Sequence, residues 1–224
     1  MKKILFIIAI LMTSLTLLAQ NDVTTFLGIP IDGQKNEMKQ KLISKGFVYN
    51  SNNDCFDGEF NGYDVSVYVA TNNNKVWRIM LVDKHQVNET DIKIRFNKLY
   101  HQFKTNNKYV TFQDYTIPDN EDISYEMSAK NKRYEAIFYQ QTSTIDSTQI
   151  TNDLKAVILK KYTEEELENP TEDIKNDIIK MSIKYAIDMV SKKTVWFMIS
   201  EHYGKYYISL FYDNEYNRAN GEDL

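Results

Sequence analysis

The groups with chemical reach in this sequence are few. There is one cysteine, Cys55, and three histidines, His85, His101 and His202, and an oxygen-rich run of Asn50, Asn52, Asn53, Asp54 and Asp57 precedes Gly58. A thiol beside an imidazole would make a nucleophile, and Glu201-His202 would make a general base. Context argues against both. Cys55 stands before Phe56 at a strand start, where a half-buried structural thiol is the ordinary outcome, and His202 runs into Tyr203-Gly204, the residues of a hairpin end. The Asn/Asp run has calcium-binding atoms at the wrong spacing, with no alternation of donors at positions 1, 3 and 5 and no terminal bidentate glutamate, so it reads as a solvated loop.

One cysteine allows no intramolecular disulfide and no cysteine-rich zinc site, and three histidines leave little for a metal cage. The sequence has no Gly-x-Ser-x-Gly, no His-Glu-x-x-His and no Rossmann fingerprint, and its seven glycines form no phosphate-cradling loop. No catalytic residue, metal or cofactor is expected. The alternative is an envelope hydrolase whose dispersed active site uses His202 or Cys55 beside a carboxylate.

Tyrosine is the unusual abundance, with 16 residues, of which Tyr203, Tyr206, Tyr207, Tyr212 and Tyr216 crowd the last hairpin. Strand alternation puts Tyr206, Ile208, Leu210 and Tyr212 on one side, assigned to the core, and Tyr207, Ser209 and Phe211 on the other. Tyrosine offers large contact area with a hydrogen-bonding tip at small entropic cost, so Tyr203, Tyr207 and Phe211, with His202, are the candidate binding face. One modification candidate stands apart. Asp146-Ser147-Thr148 is similar to the Asp-Ser/Thr-x acceptor of bacterial periplasmic O-glycosylation, which singles out Ser147. Asn88-Glu89-Thr90 reads instead as a helix cap.

The elements that must position these groups follow from periodicity. Met1-Lys2-Lys3, an apolar run from Ile4 to Leu18 and the small Ala19 have the form of a secretory signal peptide over residues 1–19, leaving a single domain over 20–224. Its removal moves the formal net charge from −4 to −6. No other run approaches the length of a membrane span, so no membrane insertion is expected after cleavage, and the acidic balance excludes nucleic acid as a partner. The resulting protein is exported, periplasmic or extracellular. A short amphipathic helix over 34–45 carries Met38 and Leu42 one turn apart and stops at Gly46-Phe47. Asn61-Gly62 between residues 56–60 and 63–71 is a hairpin signal, and 75–82 returns as a third strand with Trp77, Ile79 and Leu81 on one face.

Ile92, Phe96, Leu99 and Phe103 recur at helical spacing over 88–105, with Lys93, Arg95, Lys98 and Lys104 on a solvated outer face. Further strands are expected at 109–112, 124–129, 134–139, 195–201 and 206–213, and the polar stretch 140–152 is the one seam. Thr163 opens a capping box with Glu166, and Thr171 starts another helix. From Ile179 to Met189 strict alternation suits a strand, while Ile174, Ile178, Met181 and Tyr185 suit a helix; the acidic first turn favours helix.

Glu59-Phe60-Asn61-Gly62 with Val65-Ser66-Val67 finds an echo in Glu201-His202-Tyr203-Gly204 with Ile208-Ser209-Leu210. The echo suggests two degenerate α-β-β-β units over 26–82 and 88–213, or convergence on hairpin chemistry. The opening Phe26-Leu27-Gly28-Ile29-Pro30-Ile31-Asp32-Gly33, the Met38/Leu42 helix and the strands to residue 82 resemble the small exported modules of the β-lactamase-inhibitor-protein and SmpA type. That resemblance implies helices packed on one face of an antiparallel sheet. Unlike members of those families, this chain has no disulfide and no lipidated cysteine, and no site residue transfers to it. The expected fold is α+β, an antiparallel sheet with amphipathic helices on one face. The expected function is a noncatalytic binding module for a macromolecule, protein or glycan.

Overall fold

Alternating apolar residues on strands with positive-φ turns between them build one large antiparallel sheet. The structure, a computed structural model, describes residues 22–141 and 147–219. Residues 1–19, read above as a signal peptide, lie outside them. The described chain begins with β1 (Thr25–Phe26) and β2 (Ile29–Pro30), then α1 (Lys35–Ser44) and four strands: β3 (Val48–Asn50), β4 (Cys55–Phe60), β5 (Tyr63–Asn72) and β6 (Lys75–Asp83). It continues with α2 (Glu89–Thr105), β7 (Tyr109–Val110), α3 (Ile123–Lys130) and β8 (Glu135–Gln140). Helices α4 (Ser147–Leu159), α5 (Glu164–Glu168) and α6 (Glu172–Ser191) precede β9 (Thr194–His202) and β10 (Lys205–Asp213).

The sheet order is β3-β4-β5-β6-β10-β9-β8-β7, every pair antiparallel. A helix followed by four strands therefore occurs twice, and the last strand of each half meets the other at the β6·β10 seam. In this arrangement the β9–β10 turn corresponds to the β5–β6 turn. The sequence echo instead aligned the β4–β5 hairpin with β9–β10, so those motifs share turn chemistry and not topological position.

One face carries the core. Val65, Val67, Ile79, Leu81, Val195, Phe197, Ile208, Leu210 and Phe138 are buried there beneath Met38 and Leu42 of α1 and Ile92, Phe96, Leu99 and Phe103 of α2. Phe103, Phe138 and Phe197 pack ring to ring, with centroids 5.1, 5.9 and 6.2 Å apart.

Five expectations need correction. Trp77 does not share a face with Ile79 and Leu81: Thr71 pairs with Val76 and Ala70 with Arg78, so Trp77 is the extra residue of a bulge, and Val76 takes its place in the core. Residues 124–129 form part of α3, not a strand. Tyr125, Met127 and Ala129 mimic a two-residue period, but Asp122 accepts the Tyr125 N–H at 2.8 Å as N-cap, Asn131 closes the helix at φ 53°, and Ile123 is the residue buried. Arg95 is not on the outer face of α2, because its guanidinium is buried on Asp83 at 3.1 Å beneath the Tyr63 ring at 3.5 Å. The polar seam is shorter than expected, since α4 begins at Ser147, and β7 ends at Val110.

The two halves differ in what their connections carry. Asn61-Gly62 closes β4–β5 in two residues, whereas the equivalent β8–β9 connection holds α4, α5 and α6. Gln140 N donates to Lys193 O at 2.9 Å, so the strand ends already sit at hairpin distance. Among the described residues, no side chain of α4, α5 or α6 is buried. Leu154, Val157 and Ile158 of α4 and Ile174, Ile178, Met181 and Tyr185 of α6 are half-buried, while Ile179, Ile183 and Ile187 form an exposed stripe on α6.

Replacing residues 141–192 by Asn-Gly is therefore expected to preserve the sheet and remove helical signal alone. Circular dichroism should show less intensity at 222 nm with one cooperative thermal transition retained; loss of that transition would mean the helices hold the sheet. A second expectation concerns the seam. Asp213 is buried and accepts Arg78 Nε at 2.6 Å and Nη2 at 2.7 Å, so Asp213→Asn should lower unfolding free energy by about 3 kcal/mol in urea titration.

Candidate functional site

The sheet face opposite the core is the one singled out by Tyr207, Ser209 and Phe211. Its centre is a stack. Phe211 and Trp196, cross-strand partners on β10 and β9, lie 4.0 Å apart at 14°, and the Arg78 guanidinium sits 4.9 Å from the Phe211 ring and 4.3 Å from Trp77. Asp213 locks the assembly by also accepting Trp196 Nε1–H at 2.9 Å. Phe211 is thus 8% exposed, a structural residue of this stack and not a free contact surface. Tyr207 is half-buried further along the same strand.

The turn beyond is different. Four two-residue turns in this fold put both residues at positive φ: Leu27-Gly28, Asn61-Gly62, Asn73-Asn74 and Tyr203-Gly204. Asparagine tolerates that region, and two of the turns start with it. A bulky side chain costs about 1–2 kcal/mol there. Tyr203 has φ 52° and is 91% exposed, so burial does not offset its strain. The His202 ring meets it edge to face at 4.4 Å, and the Glu201 carboxylate caps the turn by accepting the Gly204 N–H. Beneath the tip, Glu201, Gly204 and Tyr206 line a cleft of about 240 Å³ with Ser124, Met127 and Ser128 of α3. The structure therefore brings Tyr203 and His202 together at one tip, with Tyr207 further along the same hairpin, and removes Phe211 from the group.

Sequence reading missed a second strained turn. Leu27, at φ 48° and 42% exposed, stands at the mouth of a cleft of about 330 Å³ lined by Phe60, Leu99, Phe103, Tyr109 and Tyr212. Asn61 donates to Gln102 at 2.6 Å across its rim, and burial pushes the Tyr212 hydroxyl well above its ordinary range. The signal available was Leu-Gly where Asn-Gly would be unstrained.

The other chemical candidates are occupied structurally. Cys55 is buried, and its neighbour Tyr68 is pushed up by burial and by the thiol. Neither Cys55 nor His202 lines any of the clefts described here. His85 pairs with the exposed Asp64 at 3.2 Å. In the Asn/Asp loop, Asp54 accepts Lys35, Lys39 and Tyr49 at 2.8 Å each, which hold its carboxyl well below the usual range. Asp57 is lowered in the same way by Ser66 and Asn50. Among the described residues no three His, Cys, Asp or Glu side chains are grouped to hold a metal. Two cations of α2 are also engaged, Lys93 with the Asp119 and Glu121 carbonyls at 2.7 and 3.0 Å and Lys104 with Asp114 at 3.7 Å. Asn88 caps α2 by accepting the Asp91 N–H at 2.9 Å, and Ser147 is the first residue of α4, following Asp146, which lies outside the described residues.

Comparison of the chain with protein-family models, with curated proteins and with solved structures finds no match.

If Tyr203 is held in a strained conformation that folding does not require, its relief should be measurable. Tyr203→Asn is expected to stabilise the protein by about 1 kcal/mol. Urea unfolding with an unchanged m-value checks this, and a destabilised variant would mean the ring is needed by the fold.

Proposed function

We propose that the chain is an exported, noncatalytic interaction module that docks on a protein through the β9–β10 tip, with Tyr203 as the anchor, His202 and Tyr207 as its flanks. The observation that carries this reading is a nearly fully exposed aromatic ring held at positive φ, where the same fold uses asparagine at two other turns. Local strain without internal compensation marks functional positions. An aromatic residue on a rigid hairpin tip loses little entropy on docking and fills a concave pocket in a partner, the pattern of a binding hot spot.

A protein partner is favoured over a glycan by the geometry of the aromatic groups. Sugars stack on the open faces of aromatic rings, and the Trp196 and Phe211 faces are turned on one another at 4.0 Å. Tyr203 protrudes, which suits a pocket more than a flat sugar ring. A noncatalytic role is supported by where the reactive groups sit, with Cys55 buried away from the clefts and the Asp54 carboxylate saturated by cations.

Affinity capture from envelope extracts with the wild type, Tyr203→Ala and Tyr207→Ala tests the reading. Partner recovery should fall at least about tenfold with Tyr203→Ala, corresponding to roughly 1.4 kcal/mol, and less with Tyr207→Ala. Equal recovery by all three proteins would refute the tip as the contact. Recovery of polysaccharide in place of protein would assign the site to a glycan.

A further inference from the structure

At the end of β9 remote from Tyr203, about 30 Å along the strand, two lysines converge on a polar cavity. The cavity, about 380 Å³, is lined by Asp22, Thr25, Asn107, Lys108, Gln140, Gln141 and Lys193. Lys193 is buried, its side chain 7% exposed, and donates to Asp22 Oδ1 at 2.7 Å and to Gln141 O at 3.3 Å. Lys108 stands at the rim and donates to Thr25 Oγ1 at 2.8 Å, with no carboxylate partner among the described residues. The Gln140 side chain behind them is fully committed, accepting Thr25 N at 2.8 Å and donating to Thr25 O at 2.6 Å.

Among the described residues the charges do not balance. Two ammonium groups face one carboxylate, and that carboxylate is 45% exposed. Burial first, and the charge of Lys193 second, push the Lys108 ammonium below its ordinary value. Hydrogen bonding is incomplete as well. Each ammonium has three N–H donors, so Lys193 has one unspent and Lys108 two among described partners. A buried ammonium, Lys193, beside an exposed one at the rim, Lys108, both with donors to spare at a roomy polar cavity, is a receptor for an oxyanion.

We propose that Lys108 and Lys193 form a binding site for a small oxyanion, a phosphate or carboxylate group, at the junction of the α2–β7 turn with the entry to β9. The anion takes the free Lys108 and Lys193 donors, while Asp22 continues to orient Lys193. It neutralises the excess charge and ties the β7 and β9 ends together. The site is separate from the tip proposed above.

Thermal unfolding and amide shift mapping of the purified protein, with inorganic phosphate and with acetate titrated against sodium chloride at matched ionic strength, test this. A saturable rise in Tm of about 3–6 °C at tenfold the dissociation constant is expected for at least one probe. Amide shifts should centre on Thr25, Lys108 and Gln141. A response to phosphate alone assigns a phosphate group, and one to acetate alone a carboxylate. Lys108→Met, at the rim, should leave the unliganded fold intact and weaken binding at least about tenfold. No saturable response beyond chloride, or the same response in Lys108→Met, would overturn the proposal.

Discussion

The fold depends on the antiparallel seam between β6 and β10, because it is the only ladder joining the two helix-plus-four-strand halves within the described sheet. Backbone pairing alone would leave its register to side-chain packing, and both ends of the seam are pinned by a buried ion pair. At one end Arg78 and Asp213 are direct cross-strand partners, and Asp213 also holds the Trp196 indole and, through its carbonyl, the Thr24 hydroxyl. At the other end Asp83 accepts Arg95 Nη2 at 3.1 Å and the Ile208 N–H at 3.2 Å, joining β6 to α2 and β10. Such pairs contribute little net stability over an apolar replacement, but a mispaired register would strand a buried charge at several kcal/mol. The two ends act as register locks. Arg78 and Asp213 lie 135 residues apart, so the seam closes only when nearly the whole chain is in place.

Legibility in the sequence followed the number of faces an element buries. Helix α2 and strands β5 and β9 each bury one face, so their periods were plain. Helix α6 was ambiguous for a physical reason. Ile174, Ile178, Met181 and Tyr185 face α4, while Ile179, Ile183 and Ile187 form a second apolar stripe on the opposite side of the helix. Two helical stripes half a turn apart interleave as every second residue, which is strand arithmetic. At α3 the decisive information was the Asp122 cap and not the side-chain pattern. Trp77 was misplaced because a bulge changes the parity of a strand at one residue, and nothing in Lys75–Asp83 announces it before pairing is known.

At the candidate site, the placing of Tyr203 and His202 at one hairpin end was legible from turn chemistry, and the burial of Phe211 was not. Alternation places Phe211 correctly on the helix-free face, but alternation says nothing of what stands beside a residue on that face. Trp196 is its cross-strand neighbour through β9, and Arg78 lies two residues beyond its partner Met80 on β6. The Trp196 pairing is local to the β9–β10 hairpin, but Arg78 arrives only through the β6·β10 pairing over a long sequence separation. The oxyanion pocket was illegible for the same reason, since Asp22, Lys108 and Lys193 are separated by more than 80 residues at each step and meet only through the strand order.

The strained turns separate structural from functional demand more sharply than exposure does. Any hairpin must pass through positive φ, and Asn61 and Asn73 show that this fold accepts the cheap solution wherever the turn is only a turn. Where Leu27 and Tyr203 stand in the same backbone position, folding alone would favour their replacement by asparagine, by about 1 kcal/mol or more at each site. Leu27 recovers part of that cost by covering apolar wall at the mouth of a cleft. Tyr203 recovers none through burial, touching only the His202 ring beside it. The rest of the fold carries that strain, as it does at functional positions, which is the reason the tip, and not the larger but self-stacked aromatic face, is proposed as the contact.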